Sequence, residues 1–196
     1  MAGIPLRMSS LREAAVTLFQ TLDQLGIIYA VGGCFASSFH GVARATQGID
    51  VVIDLHAGRI KELFNALAPC FYIDEFAMLE AVERGSSFNV IHLESSLKID
   101  LFVASRHPLG SEQLVHRRLA ATELLGGEPV AVSVVSAEDI LLAKLLWYHE
   151  GGNVSERQWN DLVNLVRVQG DNLNRQYLDV QARRLEVNPL LVRLLS

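Results

Sequence analysis

Asp50 and Asp100 are the residues of this chain best suited by type and setting to do chemistry. Each is a carboxylate inside an apolar, β-branched run, Ile49-Asp50-Val51-Val52-Ile53 in one case and Lys98-Ile99-Asp100-Leu101-Phe102 in the other. Side chains alternate along a strand, so position 48, Asp50, Val52 and Asp54 share one face while Ile49, Val51 and Ile53 pack on the opposite one. By the same alternation Lys98, Asp100 and Phe102 share a face. An acid at the centre of an apolar strand needs a compensating partner. A divalent cation held between Asp50 and Asp100 supplies one for both. Asp54 lies too far along its strand to join them and reads as a strand-end residue. Upstream, Gly32-Gly33 follows the apolar run 27–31. Glycine accepts positive φ and lets backbone N–H groups approach phosphate oxygens, and a helix starting there points its positive end at the same place.

The remaining chemistry-bearing residues build no competing centre. Cys34 and Cys70 lack a metal-ligand spacing and are too few for a disulfide framework, so they read as thiols in a reducing cytoplasm. His40, His92, His107, His116 and His149 show no mutual spacing for a metal site, and His56 stands at a strand end. With 17 basic against 22 acidic residues and a formal charge of −5, the chain lacks the clustered Lys and Arg that gripping a nucleic-acid backbone calls for. A phosphate ligand would therefore need a metal or a local positive patch. No run approaches the ~18 apolar residues of a membrane span and the start has no signal-like apolar core. The expectation is a cytoplasmic protein without membrane association.

The elements that must position these residues can be read from periodicity and punctuation. At 196 residues, 50% of them hydrophobic, the chain can bury a full core with a small appendage. Ser9 or Ser10 caps a helical pattern running to Gly26; 27–31 reads as a buried strand, 34–40 as a short helix and 49–55 as a second strand. A helix over 59–68 ends at Pro69, another covers 75–83, and 87–93 with 97–103 form a hairpin across 94–96. Helical material over 114–125 gives way at Gly126-Gly127 to a strand over 130–135. From Ser136 onward the pattern is helical throughout, over 137–150, 155–168 and 173–185. Strands mixed with helices come first and helices alone follow, which divides the chain into an α/β core over 1–135 and a C-terminal helical region over 136–196.

The Gly-Gly turn, the segment Arg44-Ala45-Thr46-Gln47-Gly48-Ile49-Asp50 and the later Lys98-Ile99-Asp100 together resemble the active site of the DNA polymerase beta-type nucleotidyltransferase superfamily. The likeness is to its small bacterial members of minimal and abortive-infection type. In that superfamily a Gly-Gly or Gly-Ser turn holds nucleotide phosphates, two Asp spaced Asp-x-Asp on one strand carry divalent metal, and a third comes from a neighbouring strand. The resemblance implies a mixed-sheet α/β (α+β) core and C-terminal helices, with Asp50 and Asp100 as catalytic residues and ligands of weakly held magnesium. It implies nucleotide-binding roles for Gly32, Gly33, Ser38, Arg44, Thr46 and Lys144, the last on the helix that opens with Ser136-Ala137-Glu138-Asp139. Arg157 and Asp161 resemble an Arg and Asp pair near the cleft of the abortive-infection type.

Gly48 departs from the pattern, standing where the first Asp of the Asp-x-Asp pair belongs. The implied activity is transfer of a nucleoside monophosphate from a nucleoside triphosphate to a hydroxyl on a small molecule, tRNA end or protein, weakened or lost for want of that carboxylate. The alternatives are a non-catalytic nucleotide-binding or partner-regulating protein, such as a toxin–antitoxin-like component with a protein partner, and a structural relic with no ligand.

Overall fold

The computed structural model describes residues 6–41, 48–123 and 128–196. Helix α1 (Leu6–Leu25) buries Ala14, Ala15, Leu18, Phe19 and Leu22 along one stripe at helical spacing. It stops at Gly26, whose φ of 65° is the left-handed conformation glycine adopts most cheaply. Strand β1 (Tyr29–Val31) follows, its Tyr29 ring stacked on Phe19 at 5.2 Å, and leads into the short helix α2 (Gly33–Phe39). Then come β2 (Ile49–Ile53), α3 (Ile60–Leu67), β3 (Phe71–Tyr72), α4 (Glu75–Arg84), β4 (Ser87–His92) and β5 (Lys98–Val103). Helix α5 (Gly110–Val115) precedes β6 (Arg118–Thr122) and β7 (Val130–Val134), after which four helices close the chain: α6 (Ala137–Glu150), α7 (Glu156–Gln169), α8 (Arg175–Arg184) and α9 (Asn188–Leu195).

Among the described residues seven strands form one mixed sheet in the order β3-β4-β5-β2-β1-β7-β6. Its centre positions the two acids. β2 and β5 run parallel with Asp50 directly opposite Asp100, while β1 lies antiparallel to β2 and β4 antiparallel to β5. Ile49, Val51, Ile53, Ile99, Leu101 and Val103, the alternate residues of the two central strands, are each buried to within 1% of full burial. A one-residue slip would exchange that apolar set for the acids, so the register is strongly fixed.

Helix α6 lies against α2, α7 and α8 and is buried almost all round, as Ile140, Leu141, Leu142, Ala143 and Leu145 show. Ser136 caps it, accepting from the Asp139 N–H. Asp139 is itself fully buried, and its carboxylate accepts from the Ser136 and Tyr177 hydroxyls at 2.8 and 2.6 Å, with His116 Nδ1 at 3.3 Å. Burial pushes this carboxyl above its ordinary range, and the three partners pull back. The knot ties α6 to α8 and to the end of α5. Among the described residues no helix is long and apolar enough to cross a membrane.

The helical expectation over 114–125 holds only for its first two residues and fails over Arg118–Thr122. The chain leaves α5 at Val115 and pairs as β6 antiparallel to β7, with Leu119 opposite Ser133 and Ala121 opposite Ala131. Leu-Ala-Ala favours a helix in isolation, but the unpaired edge of β7 offers a full ladder of backbone hydrogen bonds and overrides a weak propensity. Leu119 stays 76% exposed, so this edge strand carries no alternating burial from which it could have been recognised. Gly126-Gly127, where that helix was expected to end, lies outside the described residues. β3 and α9 are additions, the first only two residues long and the second within the stretch read as helical.

Candidate functional site

Asp50 and Asp100 meet on one face of the sheet because parallel partners in register project the same way. The turn before α2 is fastened onto the first of them. Gly32 N–H donates to the Asp50 carbonyl at 2.8 Å, and the Cys34 N–H donates to the Asp50 carboxylate. Gly33 has φ 56°, and a Cβ placed there would stand 1.7 Å from Asp50 Oδ2. Only glycine fits that approach. Gly32 is less constrained, since a Cβ there would meet nothing nearer than Val135 Cγ2 at 3.8 Å. The two glycines thus differ in kind: one is required by contact, the other is not.

The electrostatics follow from burial and from charges across the cleft. Burial raises the Asp50 pKa above the ordinary carboxylate range and the negative charge of Asp100 adds to this, while Lys144, Lys98 and the Cys34 N–H oppose the rise. Lys98 Nζ stands 2.9 Å from Asp100 Oδ1, neighbours on one strand face as the alternation requires. Lys144 approaches from α6 with its side chain only 12% exposed, its Nζ 3.6 Å from Asp161 Oδ2. Asp161 lines the cleft alongside it.

Two cavities share this lysine. The inner one is narrow, with ≈ 30 Å³ of solvent-accessible space, and is walled by Val52, Phe102, Ile140 and Trp147 with Gly32, Gly33 and Asp50 beside the turn. His107 and Gln113 are its neutral polar residues, burial holding the His107 imidazole below its ordinary pKa. The outer one, with ≈ 350 Å³ of solvent-accessible space, lies between Cys34 and the helices α6 and α7, where Lys144 and Trp147 face Ser155, Arg157, Gln158 and Asp161.

Of the residues the sequence singled out, Gly32, Gly33, Asp50 and Lys144 converge on the inner cavity, Asp100 adjoins Asp50 across the strand pair, and Arg157 with Asp161 joins Lys144 in the outer cavity. Ser38 does not line either cavity; its hydroxyl donates to the Cys34 carbonyl at 3.1 Å, a bond back along its own helix. Arg44 and Thr46 lie outside the described residues. Gly48 enters β2 with room beside it, since a Cβ there would meet only the Lys98 carbonyl at 3.4 Å. Trp147, Gln113 and His107 escaped the sequence reading. Trp147 had a usable signal, being one helical turn beyond Lys144. Gln113 and His107 had none, because α5 and the turn before it reach the cleft only through the tertiary fold.

No family model matches the sequence, and no curated protein does. The fold, however, has solved counterparts. An antigenic nucleotidyltransferase-like protein from Paracoccidioides brasiliensis is 20% identical with a TM-score of 0.56, over 94% of this chain and 91% of that one. The antibiotic-resistance factor ANT(2'')-Ia in solution is 15% identical with a TM-score of 0.59, over 94% of this chain and 95% of that one. Its crystal structure in complex with adenylyl-2''-tobramycin gives 15% and 0.58, over 90% and 97%. The mixed α/β architecture is that of the nucleotidyltransferase fold.

Proposed function

We propose that the chain is a nucleotidyltransferase-like protein that takes a nucleoside triphosphate and, with magnesium, transfers a nucleoside monophosphate to a hydroxyl acceptor at a rate limited by Gly48. The observation that carries this reading is the Asp50–Asp100 pair, in register on adjacent parallel strands with the Gly33 turn packed on one carboxylate and Lys144 near the same group. Asp50 and Asp100 are the donors that would hold magnesium. They suit it in kind, being hard oxygen anions whose charges raise one another's cost, and fall short in number. Among the described residues no third acidic, His or Cys side chain joins them. Magnesium bound there would neutralise phosphate charge and make the attacking hydroxyl more acidic.

The chain's own residues do the rest. Gly33, lacking a Cβ, lets the turn close on the carboxylate beside which the phosphates would lie. Lys144 is the buried cation that would meet phosphate charge from the helical side, and its ion pair with Asp161 holds it in place until then. Residues 1–135 supply the turn and the acids, and residues 136–196 supply the cationic wall. Val52, Phe102 and Ile140 exclude water from one side of the acids.

A second reading has its own support. Lys98 already pairs with Asp100 at 2.9 Å, which together with Gly48 favours nucleotide binding without turnover in a partner-regulating protein, as in a toxin–antitoxin-like pair. Thermal unfolding with each of the four nucleoside triphosphates, with and without magnesium, tests what both readings share. A nucleotide at 100 times its Kd stabilises the fold by about 2.7 kcal/mol, a rise of about 5–10 °C at this size. No shift with any triphosphate would refute nucleotide binding; a shift without transfer would favour the second reading.

A further inference from the structure

Helix α6 is buried nearly all round, yet its Trp147 is 37% exposed, and the indole N–H finds no acceptor among the described residues. The chain's other tryptophan is treated quite differently. Trp159 is packed between the Tyr148 ring, 5.3 Å away, and the Arg193 guanidinium, 4.4 Å from the ring centre. Trp147 instead borders both cavities, and so does Lys144, one turn earlier on the same helix face. The helical rise between them is about 4.5 Å. That spacing puts a cationic and an aromatic side chain on one wall of the cleft, as the phosphate and base of one nucleotide would require.

We propose that Trp147 is the platform on which the nucleobase stacks, in the outer cavity, with Lys144 and Arg157 toward the phosphates. The proposal rests on the nucleotide reading above and names the residue that would distinguish a nucleotide from a bare polyphosphate. The outer cavity has ≈ 350 Å³ of solvent-accessible space, at the small end of the range of small-molecule sites. Its rim carries Ser155 and Gln158, both able to donate and accept at the edge of a stacked ring. Arg157 lines it without an ion pair among the described residues. An indole face accepts any base, so discrimination among bases falls to those rim residues.

The test uses the full chain carrying Trp159→Phe, which keeps a ring against Tyr148 and leaves Trp147 as the single emitter of the two tryptophans. Emission and melting temperature are followed while ATP, GTP, CTP, UTP and, separately, inorganic tripolyphosphate are added with magnesium. The expected result is quenching by the nucleotides, and a melting increase without quenching by tripolyphosphate. Trp147→Ala should weaken nucleotide binding about 5- to 100-fold while leaving tripolyphosphate binding unchanged, and Trp147→Phe should recover most of the loss. Nucleotides that raise the melting temperature without quenching, or that bind Trp147→Ala as tightly as the parent, overturn the stacking role while leaving the nucleotide reading intact. If Trp147→Ala does not fold, the quenching result and Trp147→Phe decide the matter. No response to any triphosphate overturns the nucleotide reading and this proposal with it.

Discussion

Gly33→Ala is expected to destabilise the fold and disable the site together, whereas Gly32→Ala should do neither to a comparable degree. At Gly33 an L side chain meets two obstacles. The φ of 56° costs a non-glycine residue about 1–2 kcal/mol. The added methyl would also stand 1.7 Å from Asp50 Oδ2 and 3.0 Å from the Asp50 Cβ, so the carboxylate must leave its place and give up the Cys34 N–H. The sum is about 2–3 kcal/mol. For a chain of this size that lowers the melting temperature by roughly 5–10 °C. Metal-dependent nucleotide binding should fall with it. Gly32→Ala meets only ordinary contacts and should cost under about 1 kcal/mol. Thermal melts of the two variants, with and without nucleotide, check the contrast. Equal effects would mean that the turn does not depend on the Gly33–Asp50 contact.

Gly48→Asp should have the larger effect on chemistry. The new side chain would start from a backbone whose Cβ position is free of clashes, the nearest atom being the Lys98 carbonyl at 3.4 Å. By strand alternation it would share the Asp50 face about 7 Å along the strand. Magnesium prefers near-octahedral oxygen coordination, and a third carboxylate adds both a ligand and the charge that holds the ion. The expected gain in magnesium affinity is about tenfold or more, with nucleotide transfer appearing or rising alongside. A labelled-nucleotide transfer assay with magnesium titration on both forms reads this. Robust turnover by the Gly48 protein would refute the weakened-site reading, as would a Gly48→Asp variant that binds metal no better.

The central strand pair was legible because its signal is local. Asp50 and Asp100 each interrupt an apolar run, and alternation alone places them on the face opposite the buried Ile49, Val51, Ile99 and Leu101. The Gly-Gly turn was visible for the same reason, though nothing in the two letters showed that Gly33 alone is pressed against Asp50. β6 was misread because its sequence is helix-favouring and its burial does not alternate, so only the edge of β7 makes it a strand. The Asp139 knot was beyond reach, since its partners His116 and Tyr177 lie 23 and 38 residues away. Trp147 was passed over because α6 reads as a uniformly apolar helix. Its place one turn beyond Lys144 was the one signal that marked it.

The proposed function requires Asp50 and Asp100 to hold a divalent cation beside a bound nucleotide. Manganese, a spectroscopically visible stand-in for magnesium, can be titrated by electron paramagnetic resonance into the natural protein and into Asp50→Asn and Asp100→Asn, each with saturating ATP. The predicted result is a protein-dependent manganese signal in the natural chain that either substitution weakens at least about tenfold, since each removes one of the two protein carboxylates that, among the described residues, would hold the ion beside the ATP phosphates. Manganese and ATP binding unchanged by both substitutions would show that these carboxylates hold no metal.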